Sequence, residues 1–313
     1  MTNNANRVVA LGGGHGLAAI LRALTSIQSE TTAVVTVADD GGSSGRLRQE
    51  YGILPPGDLR MALSALCPSG PQGSHNAELF QYRFSGEGNL AGHPIGNLIL
   101  TALWDIETDK VAAIARAGAL LGAQGRVLPM STQPLTIEAN VEDQTGAVHR
   151  ISGQATVATT TGRILDVSIT PENPAACPEA IQALTEADWI ILGPGSWYTS
   201  VMPALIIPEL RDAIIASPAR KLIVLNLVEQ LGETEGLGPD QHLGVLRQHA
   251  PGMSVDVVLV DSSHERQAPQ LQREAADLGA RVIFADVRDT DSPSTHDPER
   301  LSRVLGDILA RVP

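Results

Sequence analysis

A short apolar strand that runs directly into a glycine-rich turn and then into a helix constrains this chain more than any other feature. Residues 7–11 read as the strand, and apolar residues at helical spacing follow from Leu17. The turn between them consists of Gly12, Gly13, Gly14, His15 and Gly16. Glycines at such a turn let the backbone approach a ligand closely, and the helix N-terminus offers unpaired N–H groups to an anion. The segment predicts a phosphate-binding turn, with a tight structural turn as the alternative.

Two better-known glycine motifs do not fit this turn. No Gly-Lys-Ser or Gly-Lys-Thr follows it, which excludes a Walker A loop. Counted from Gly12, the third glycine of a G-x-G-x-x-G fingerprint falls at Leu17. The dinucleotide fingerprint is therefore incomplete.

The order of the remaining elements predicts a doubly wound, Rossmann-like α/β fold. Short, almost continuously apolar runs alternate with helical patterns, which is typical of a parallel sheet covered on both faces. The predicted strands are 7–11, 33–38, 189–192, 221–226, 255–260 and 281–285. The predicted helices include 17–27, 241–249, 269–278 and 298–309. We expect a three-layer sandwich with a mostly parallel sheet, in a single domain over residues 1–313.

The middle of the chain departs from this alternation. Residues 137–151 read as two strands around an Asp-Gln-Thr-Gly turn, and residues 164–169 read as a third. This pattern predicts a small antiparallel, β-rich insert at about residues 126–170. Residues 286–298 are interpreted as a polar loop before the last helix.

Charge and composition limit the partners. The 35 Asp and Glu residues against 22 Lys and Arg give a formal charge of −13, which disfavours nucleic acid and anionic membranes. The first hundred residues, which hold two of the three glycine-rich turns, carry six basic and seven acidic side chains. No apolar run of about 18 residues and no leader pattern occurs, so we expect a cytoplasmic protein without membrane insertion. The histidines and the two cysteines form no zinc motif.

A second polar turn follows the second predicted strand, at the sheet edge where ligands bind in such folds. It consists of Asp39, Asp40, Gly41, Gly42, Ser43, Ser44, Gly45 and Arg46. The glycines and serines supply hydrogen-bond donors, and Arg46 supplies a fixed positive charge. Asp39 and Asp40 can accept bonds from ribose hydroxyls or hold a hard cation such as Mg²⁺. A nucleotide or a phosphorylated sugar suits this mixture better than a solvated turn does.

Two further polar residues open predicted helices. Asp58 follows Pro55-Pro56-Gly57 and is either a helix N-cap or a ligand-binding residue. Asn97 lies in the first turn of a helix that follows Pro94, where we expect it to be exposed and to meet a ligand or water.

A second strand-turn-helix element repeats the chemistry of the first. Its turn contains Gly193, Pro194, Gly195, Ser196 and Thr199. Asn226 ends the next predicted strand and leads into an acidic loop that we expect to cover the site. Two such turns in separate strand–helix units converge on one crevice where the strand order reverses. Ser196 is not in a G-x-S-x-G sequence, which disfavours an esterase-type nucleophile.

These motifs resemble the gluconeogenesis factor (YvcK-like) family of bacteria over nearly the whole chain. The resemblance rests on residues 11–17, 38–48, 56–60, 96–98 and 193–200, of which 39–46 are the most specific. The family has Thr where this chain has His15. The chain is also similar, more distantly, to 2-phospho-L-lactate transferases, which share the glycine turn, the acidic turn and a segment like residues 128–131.

The resemblance implies a function as well as a fold. It implies a cytoplasmic protein that binds UDP-N-acetylglucosamine or a similar nucleotide sugar and supports cell shape and cell-wall synthesis during gluconeogenic growth. The transferase branch implies Mg²⁺ at the acidic turn and transfer of a phospholactyl group, but this chain lacks that branch's bulkier version of the turn. We also expect a homodimer, and a cell-wall or signalling protein as partner.

Three functional hypotheses follow. The favoured one is a ligand-responsive binding protein without catalytic activity or resident cofactor, because no nucleophile or acid–base pair is evident. In it the glycine turns hold a diphosphate, and Asp39, Asp40 or Asn97 bind ligand hydroxyls. The second is a Mg²⁺-dependent transferase of a phosphoryl-linked group, with Asp39 or Asp40 on the metal. The third is a nicotinamide dinucleotide enzyme with Asp39 at the ribose, which the missing third glycine weakens.

Overall fold

A parallel sheet forms the centre of the molecule. The structure is a computed structural model that describes residues 5–230, 233–234 and 236–310. Within those residues the main sheet contains β1 (Arg7–Gly12), β2 (Glu30–Val35), β3 (Arg126–Pro129), β7 (Trp189–Leu192), β8 (Arg220–Val224), β9 (Val257–Asp261) and β10 (Arg281–Ala285). Their order is β10-β9-β8-β7-β1-β2-β3, and every neighbouring pair is parallel.

A smaller sheet interrupts the alternation of strands and helices. It consists of β4 (Thr136–Glu142), β5 (Val148–Ser152) and β6 (Arg163–Thr170), paired antiparallel in the order β5-β4-β6. Alternate residues of β4 are buried, as expected for a strand with one face on the core. The first four residues of the range given to the insert lie elsewhere, because β3 is the edge strand of the main sheet.

Helices cover both faces of the main sheet, so the predicted doubly wound sandwich with a small antiparallel insert is confirmed. The helices are α1 (Gly14–Ser26), α2 (Gly42–Tyr51), α3 (Pro56–Ala65), α4 (Pro71–Gln81), α5 (Ile95–Ile106), α6 (Lys110–Leu121), α7 (Gln154–Ala158), α8 (Pro178–Glu186), α9 (Pro203–Ile206), α10 (Pro208–Ala216), α11 (Pro239–His249), α12 (Ala268–Asp277) and α13 (Pro298–Ala310). A π-helical turn at Trp197–Val201 and a 3₁₀ turn at Ser262–Gln267 complete the set for the described residues.

The first strand and helix form because their apolar residues can be buried together. β1 is buried from Val8 to Gly12, since β2 and β7 flank it and helices cover its faces. α1 places Leu17, Ile20 and Leu24 on the face that packs against α3 and α13. Each such side chain contributes about 1.5–3 kcal/mol through burial, which fixes where the glycine turn sits.

The strand order reverses at β1. From β1 the chain passes to β2 and β3 on one side, and it later returns to β7, β8, β9 and β10 on the other. The connections therefore diverge above the carboxyl ends of β1 and β7 and leave a crevice there. None of the helices in the described residues is long and apolar enough to span a bilayer.

A buried histidine supports the segment that follows β7. Trp197 is fully buried and packs edge-to-face on His242 of α11, with ring centroids 4.9 Å apart. His242 is 4% exposed, and neither of its ring nitrogens has a side-chain hydrogen bond to any of the residues that the structure describes. Burial lowers the pKa of His242 to about 4, while the nearby backbone of Gly238 and the charge of Asp240 oppose that change. The folded state therefore stabilises the neutral form of the His242 imidazole.

We predict that His242 makes the protein acid-sensitive. Its pKa is lower in the folded chain than the value of about 6.5 expected when unfolded, so its contribution to stability is present above about pH 6.5 and is lost as the pH falls toward 4. Replacing His242 with Leu should reduce the loss of unfolding free energy between about pH 7.5 and pH 4.5 by about 2 kcal/mol. Urea unfolding at both pH values measures this. The exposed His75→Leu is the control, and equal pH dependence in wild type and His242→Leu would contradict the prediction.

Candidate functional site

A cavity of about 600 Å³ opens above the carboxyl ends of β1, β7 and β8, at the point where the strand order reverses. Its lining residues fall in segments 13–22, 194–200, 226–230 and 289–298. This volume lies within the range of about 300–1,000 Å³ that is usual for small-molecule sites.

The two glycine turns form one continuous floor of this cavity. A Cβ on Gly16 would overlap with the carbonyl oxygen of Pro194, so the first turn of α1 lies directly against the turn after β7. Only glycine permits that contact. Parallel strands bring both turns to the same sheet edge, and Gly16 lets them touch.

The turn after β7 is fixed by the loop that follows β8. Gly195 N donates to Asn226 Oδ1 at 2.9 Å, and Asn226 Nδ2 donates to the carbonyl of Gly195 at 2.8 Å. Trp197 N donates to Gln230 Oε1 at 3.1 Å. Asn226 therefore positions the cavity floor through its amide.

A buried carboxylate accepts hydrogen bonds from backbone amides of the helical turn at Trp197–Val201. Tyr198 N and Thr199 N each donate to Glu233 Oε1 at 2.8 Å, and Ser196 Oγ donates to Glu233 Oε2. Glu233 is 4% exposed, and desolvation raises its pKa despite these bonds. The sequence predicts that this second turn binds an oxyanion of a ligand. In the structure the carboxylate of Glu233 accepts those hydrogen bonds instead.

The first turn has a different acidic neighbour. Gly14 N donates to Asp58 Oδ1 at 3.2 Å, so Asp58 caps α1 rather than its own helix, of which Pro55 is the N-cap residue. Desolvation, reinforced by the negative charge of Asp39, raises the pKa of Asp58 to about 7. A Cβ on Gly13 would lie 2.5 Å from Asp58 Oδ2, which places this carboxyl group directly beneath the turn.

A small cluster of oxygen atoms lies beside Asp58. Asp58 Oδ2 and Thr36 Oγ1 are buried and have no hydrogen-bond partner in the described part of the chain, and Asp39 lies close enough to raise the pKa of Asp58. Asp39 Oδ1 accepts from Gly41 N at 2.9 Å. Oxygen donors of this kind suit Mg²⁺, which completes its coordination with water or ligand phosphate. The described residues contain no group of three or more His, Cys, Asp or Glu side chains arranged for a metal ion.

Asp40, the other acidic residue of the turn after β2, contacts the insert. Asp40 Oδ1 accepts from Ala155 N at 3.0 Å, and Gly153 lies against the same carboxylate. Asp40 therefore ties α7 of the insert to the turn after β2.

The serines and Asn97 form a hydrogen-bonded group beneath α2. Ser43 Oγ lies 2.8 Å from His93 Nδ1 and accepts from Asn97 Nδ2 at 2.9 Å. Gly57 N donates to Ser44 Oγ at 3.0 Å. The expectation of an exposed Asn97 is wrong. The residue is 1% exposed because its amide bonds to Ser43 at the start of α2.

The predicted site residues thus separate into two groups. The cavity contains Gly13, Gly14, His15, Gly16, Pro194, Gly195, Ser196 and Asn226. The residues outside its lining are Gly12, Asp39, Asp40, Gly41, Gly42, Ser43, Ser44, Arg46, Asp58, Asn97, Gly193 and Thr199. Arg46 is exposed and donates to the carbonyl of Ala91 at 2.8 Å.

Several cavity residues escaped the sequence analysis. Arg22 lies on α1, Gln230 follows β8, and segment 289–298 precedes α13. The position of segment 289–298 after a parallel strand was a usable signal, because ligands of such folds bind at the carboxyl ends of strands. Arg22 gave none, since a charged residue on an amphipathic helix is ordinarily solvated.

The comparisons with known proteins agree with this architecture. Residues 8–304 match the profile of the family described as 2-phospho-L-lactate transferase CofD. The chain belongs to the CofD family. A Mycobacterium tuberculosis relative is 49% identical over 97% of this chain and 90% of its own length. A gluconeogenesis factor of Bacillus subtilis is 39% identical, over 97% of this chain and 98% of its own.

A solved structure supports the fold of this CofD family member. The crystal structure of protein BH3568 from Bacillus halodurans matches with a TM-score of 0.85 and 34% identity. The match covers 97% of this chain and 99% of that one. The resemblance to gluconeogenesis factors that the motifs indicate is therefore confirmed.

We predict that Gly16→Ala destabilises the protein. The new methyl group must push the Pro194 carbonyl away, so the unfolding free energy should fall by about 2–3 kcal/mol. Gly244→Ala is the matched control, since Gly244 lies within α11 and its Cβ would meet nothing closer than 3.9 Å. That control should be stabilised by about 0.5–1 kcal/mol. Urea unfolding of both variants measures the difference, and an unchanged Gly16→Ala would show that the two turns do not depend on this contact.

Proposed function

We propose that this CofD family member binds a nucleotide sugar of the UDP-N-acetylglucosamine type in the cavity between its two glycine turns. The main support for this proposal is the cavity, which is lined by residues of both turns and lies where the strand order reverses. Folds of this type bind nucleotides at that position.

The first turn supplies the phosphate-binding groups in this proposal. A helix leaves its first N–H groups without intrahelical partners, and those of His15 and Gly16 belong to the cavity floor. Arg22 lies two turns further along α1 in the cavity wall and forms no ion pair within the described residues. The diphosphate therefore binds at the first turn, because Glu233 already occupies the amides of the second.

A binding role fits the polar side chains of the cavity better than nucleophilic catalysis does. Ser196 Oγ, a cavity hydroxyl, is engaged by Glu233 and Thr199. Asn226 is committed to the backbone of Gly195. Both side chains hold the cavity floor in place, and the ligand binds to backbone amides and to Arg22.

We further propose a cytoplasmic role in cell shape and cell-wall synthesis during gluconeogenic growth. Relatives of Listeria monocytogenes and Bacillus subtilis carry the name gluconeogenesis factor, which supports the link to carbon supply. The concentration of the nucleotide sugar would vary with the carbon supply. A cell-wall or signalling protein would then respond to the ligand-bound form of this protein. The homodimer stays a prediction.

Arg22→Gln should weaken binding of UDP-N-acetylglucosamine about three- to tenfold at low salt, because one cation facing the diphosphate is lost. Isothermal titration of wild type and variant measures the effect. The matched control is Arg163→Gln on β6, an exposed arginine outside the cavity, which should bind as wild type does. Absence of binding by wild type would contradict the proposed function. Equal weakening in both variants would contradict the role of Arg22.

A second candidate function is a Mg²⁺-dependent transfer of a phosphoryl-linked group, as in 2-phospho-L-lactate transferase. The match to the CofD profile favours it, together with the unpartnered oxygens of Asp58 and Thr36 beside Asp39. These residues would hold the cation, which when bound would neutralise charge on a ligand phosphate. Mg²⁺-dependent turnover that Asp58→Asn abolishes would support this candidate, whereas binding without turnover would favour the first.

A further inference from the structure

Large apolar side chains are exposed mainly in one part of the molecule. Among the residues that the structure describes, nine such side chains are exposed, and six of them fall within residues 51–120. Those six are Tyr51, Leu79, Tyr82, Leu90, Ile106 and Leu120. This part of the chain contains the end of α2 and the helices α3–α6. Single exposed apolar residues need no explanation, whereas a concentration of them marks an interaction surface.

The helix α5 lacks the polar side that a surface helix normally has. Its buried side packs against α3 and carries Gly96, Asn97, Leu100, Leu103 and Trp104. The opposite side is half-buried to exposed and carries Ile95, Leu98, Ala102 and Ile106, spaced three or four residues apart. The first charged residue of the helix is Asp105. A helix that is apolar on both sides is ordinarily buried on both.

Two tyrosines extend this apolar side at the two ends of the helix. Ile95 N donates to the carbonyl of Tyr82 at 2.9 Å, so Tyr82 lies at the N-terminal end. A hydrogen bond with Glu50 raises the pKa of Tyr51, and the charge of Asp105 adds to this, which places Tyr51 beside the C-terminal end. Both tyrosines are more than half exposed. The surface named the α5 face here consists of Tyr51, Tyr82, Ile95, Leu98, Ala102 and Ile106.

The charge around the α5 face favours a second copy of the chain as its partner. Residues 42–121 carry six basic and seven acidic side chains, so almost all of the net charge of −13 lies elsewhere in the chain. Two copies of an acidic chain repel each other at most of their surface. The residues of the α5 face are uncharged, so two copies can meet there without that repulsion.

The area of the α5 face is sufficient for a dimer contact. Its side chains expose roughly 400 Å² of mostly apolar surface over a length of about 17 Å. A standard interface buries about 800 Å² on each partner, of which about 450 Å² is apolar. The α5 face therefore supplies nearly the whole apolar part of such an interface.

We propose that the α5 face is the surface through which two copies of this chain form a homodimer. The same residues of both copies meet across a two-fold axis, as in most symmetric dimers. Ala102 lies near the middle of the apolar side, where its small side chain lets the two α5 axes cross about 8 Å apart. No residue of the α5 face lines the cavity, so the inference goes beyond the proposed function and holds whatever ligand the cavity binds.

Sedimentation equilibrium of the full chain measures this association. Wild type should sediment at twice the mass of the chain. Ile106→Arg should raise the dissociation constant of the dimer at least about tenfold, because the interface would bury unpaired charges. Arginine suits the folded monomer at this position, since residue 106 ends α5 between Asp105 and Glu107. The matched control is Val148→Arg on β5, which is 56% exposed outside the α5 face and should leave the dissociation constant unchanged.

The other outcomes contradict the proposal. A wild-type chain that stays monomeric up to about 100 μM would overturn it and leave the α5 face to a different protein. A dimer that Ile106→Arg does not weaken would show that the copies meet at another surface. Weakening by Val148→Arg alone would place the contact on the antiparallel insert. Equal weakening by both variants would indicate a general effect of added charge and overturn the assignment to α5.

A disulfide cross-link tests the same contact without introducing a charge. In the proposed dimer the two copies of residue 102 face each other, so Ala102→Cys should form a disulfide-linked dimer under mild oxidation. Val148→Cys is the control and should stay monomeric on a non-reducing gel. The native Cys67 and Cys177, half-buried and buried, are present in both variants. Absence of a linked dimer for Ala102→Cys, at concentrations where wild type is dimeric, would overturn the crossing at α5.

Discussion

The close contact between Gly16 of α1 and the carbonyl of Pro194 is the constraint on which the site depends. It joins the turn after β1 to the turn after β7, although Gly16 and Pro194 are 178 positions apart in the sequence. Burial of β1 and of the apolar face of α1 sets the position of the first turn, and Trp197 packed on His242 supports the second. The cavity floor is therefore a product of the core.

Two internal carboxylates then decide which backbone amides a ligand can use. Glu233 accepts from Tyr198 and Thr199 at the second turn, and Asp58 accepts from Gly14 at the first. Burying either carboxylate costs free energy that these hydrogen bonds offset. The remaining donors lie at His15, Gly16 and Arg22 along α1. In the proposed function, a chain with a net charge of −13 would bind a diphosphate through helix amides and a single arginine.

The fold was largely predictable because apolar runs at the right spacing reflect burial directly. β1, β7 and α13 were predicted almost to the residue, since each has one apolar pattern and a clear boundary. β3 was not predicted as a strand, and its four residues fell within the approximate range given to the insert, because so short an apolar segment carries little pattern of its own. α4 and α6 were not predicted, because α4 is largely polar and α6 is rich in alanine.

The candidate site was predictable only as far as local sequence determines it. Glycine-rich turns can be recognised from their composition, so the cavity residues 13–16 and 194–196 could be predicted from the sequence. The engagement of Asp40 by the insert, of Asn97 by Ser43 and of the second turn by Glu233 depends on contacts between segments distant in sequence. Nothing local indicates such contacts, and the same holds for the β10–α13 loop, which reads as an ordinary polar connection.

Native mass spectrometry of the freshly purified protein measures directly whether a nucleotide sugar occupies the cavity, because it weighs whatever remains bound. We expect a population heavier than the bare chain by the mass of one nucleotide sugar per chain. Mild activation should remove that mass, and added UDP-N-acetylglucosamine should restore it. A spectrum that shows only the bare chain, both as purified and after addition of the nucleotide sugar, would contradict binding of a nucleotide sugar in the cavity.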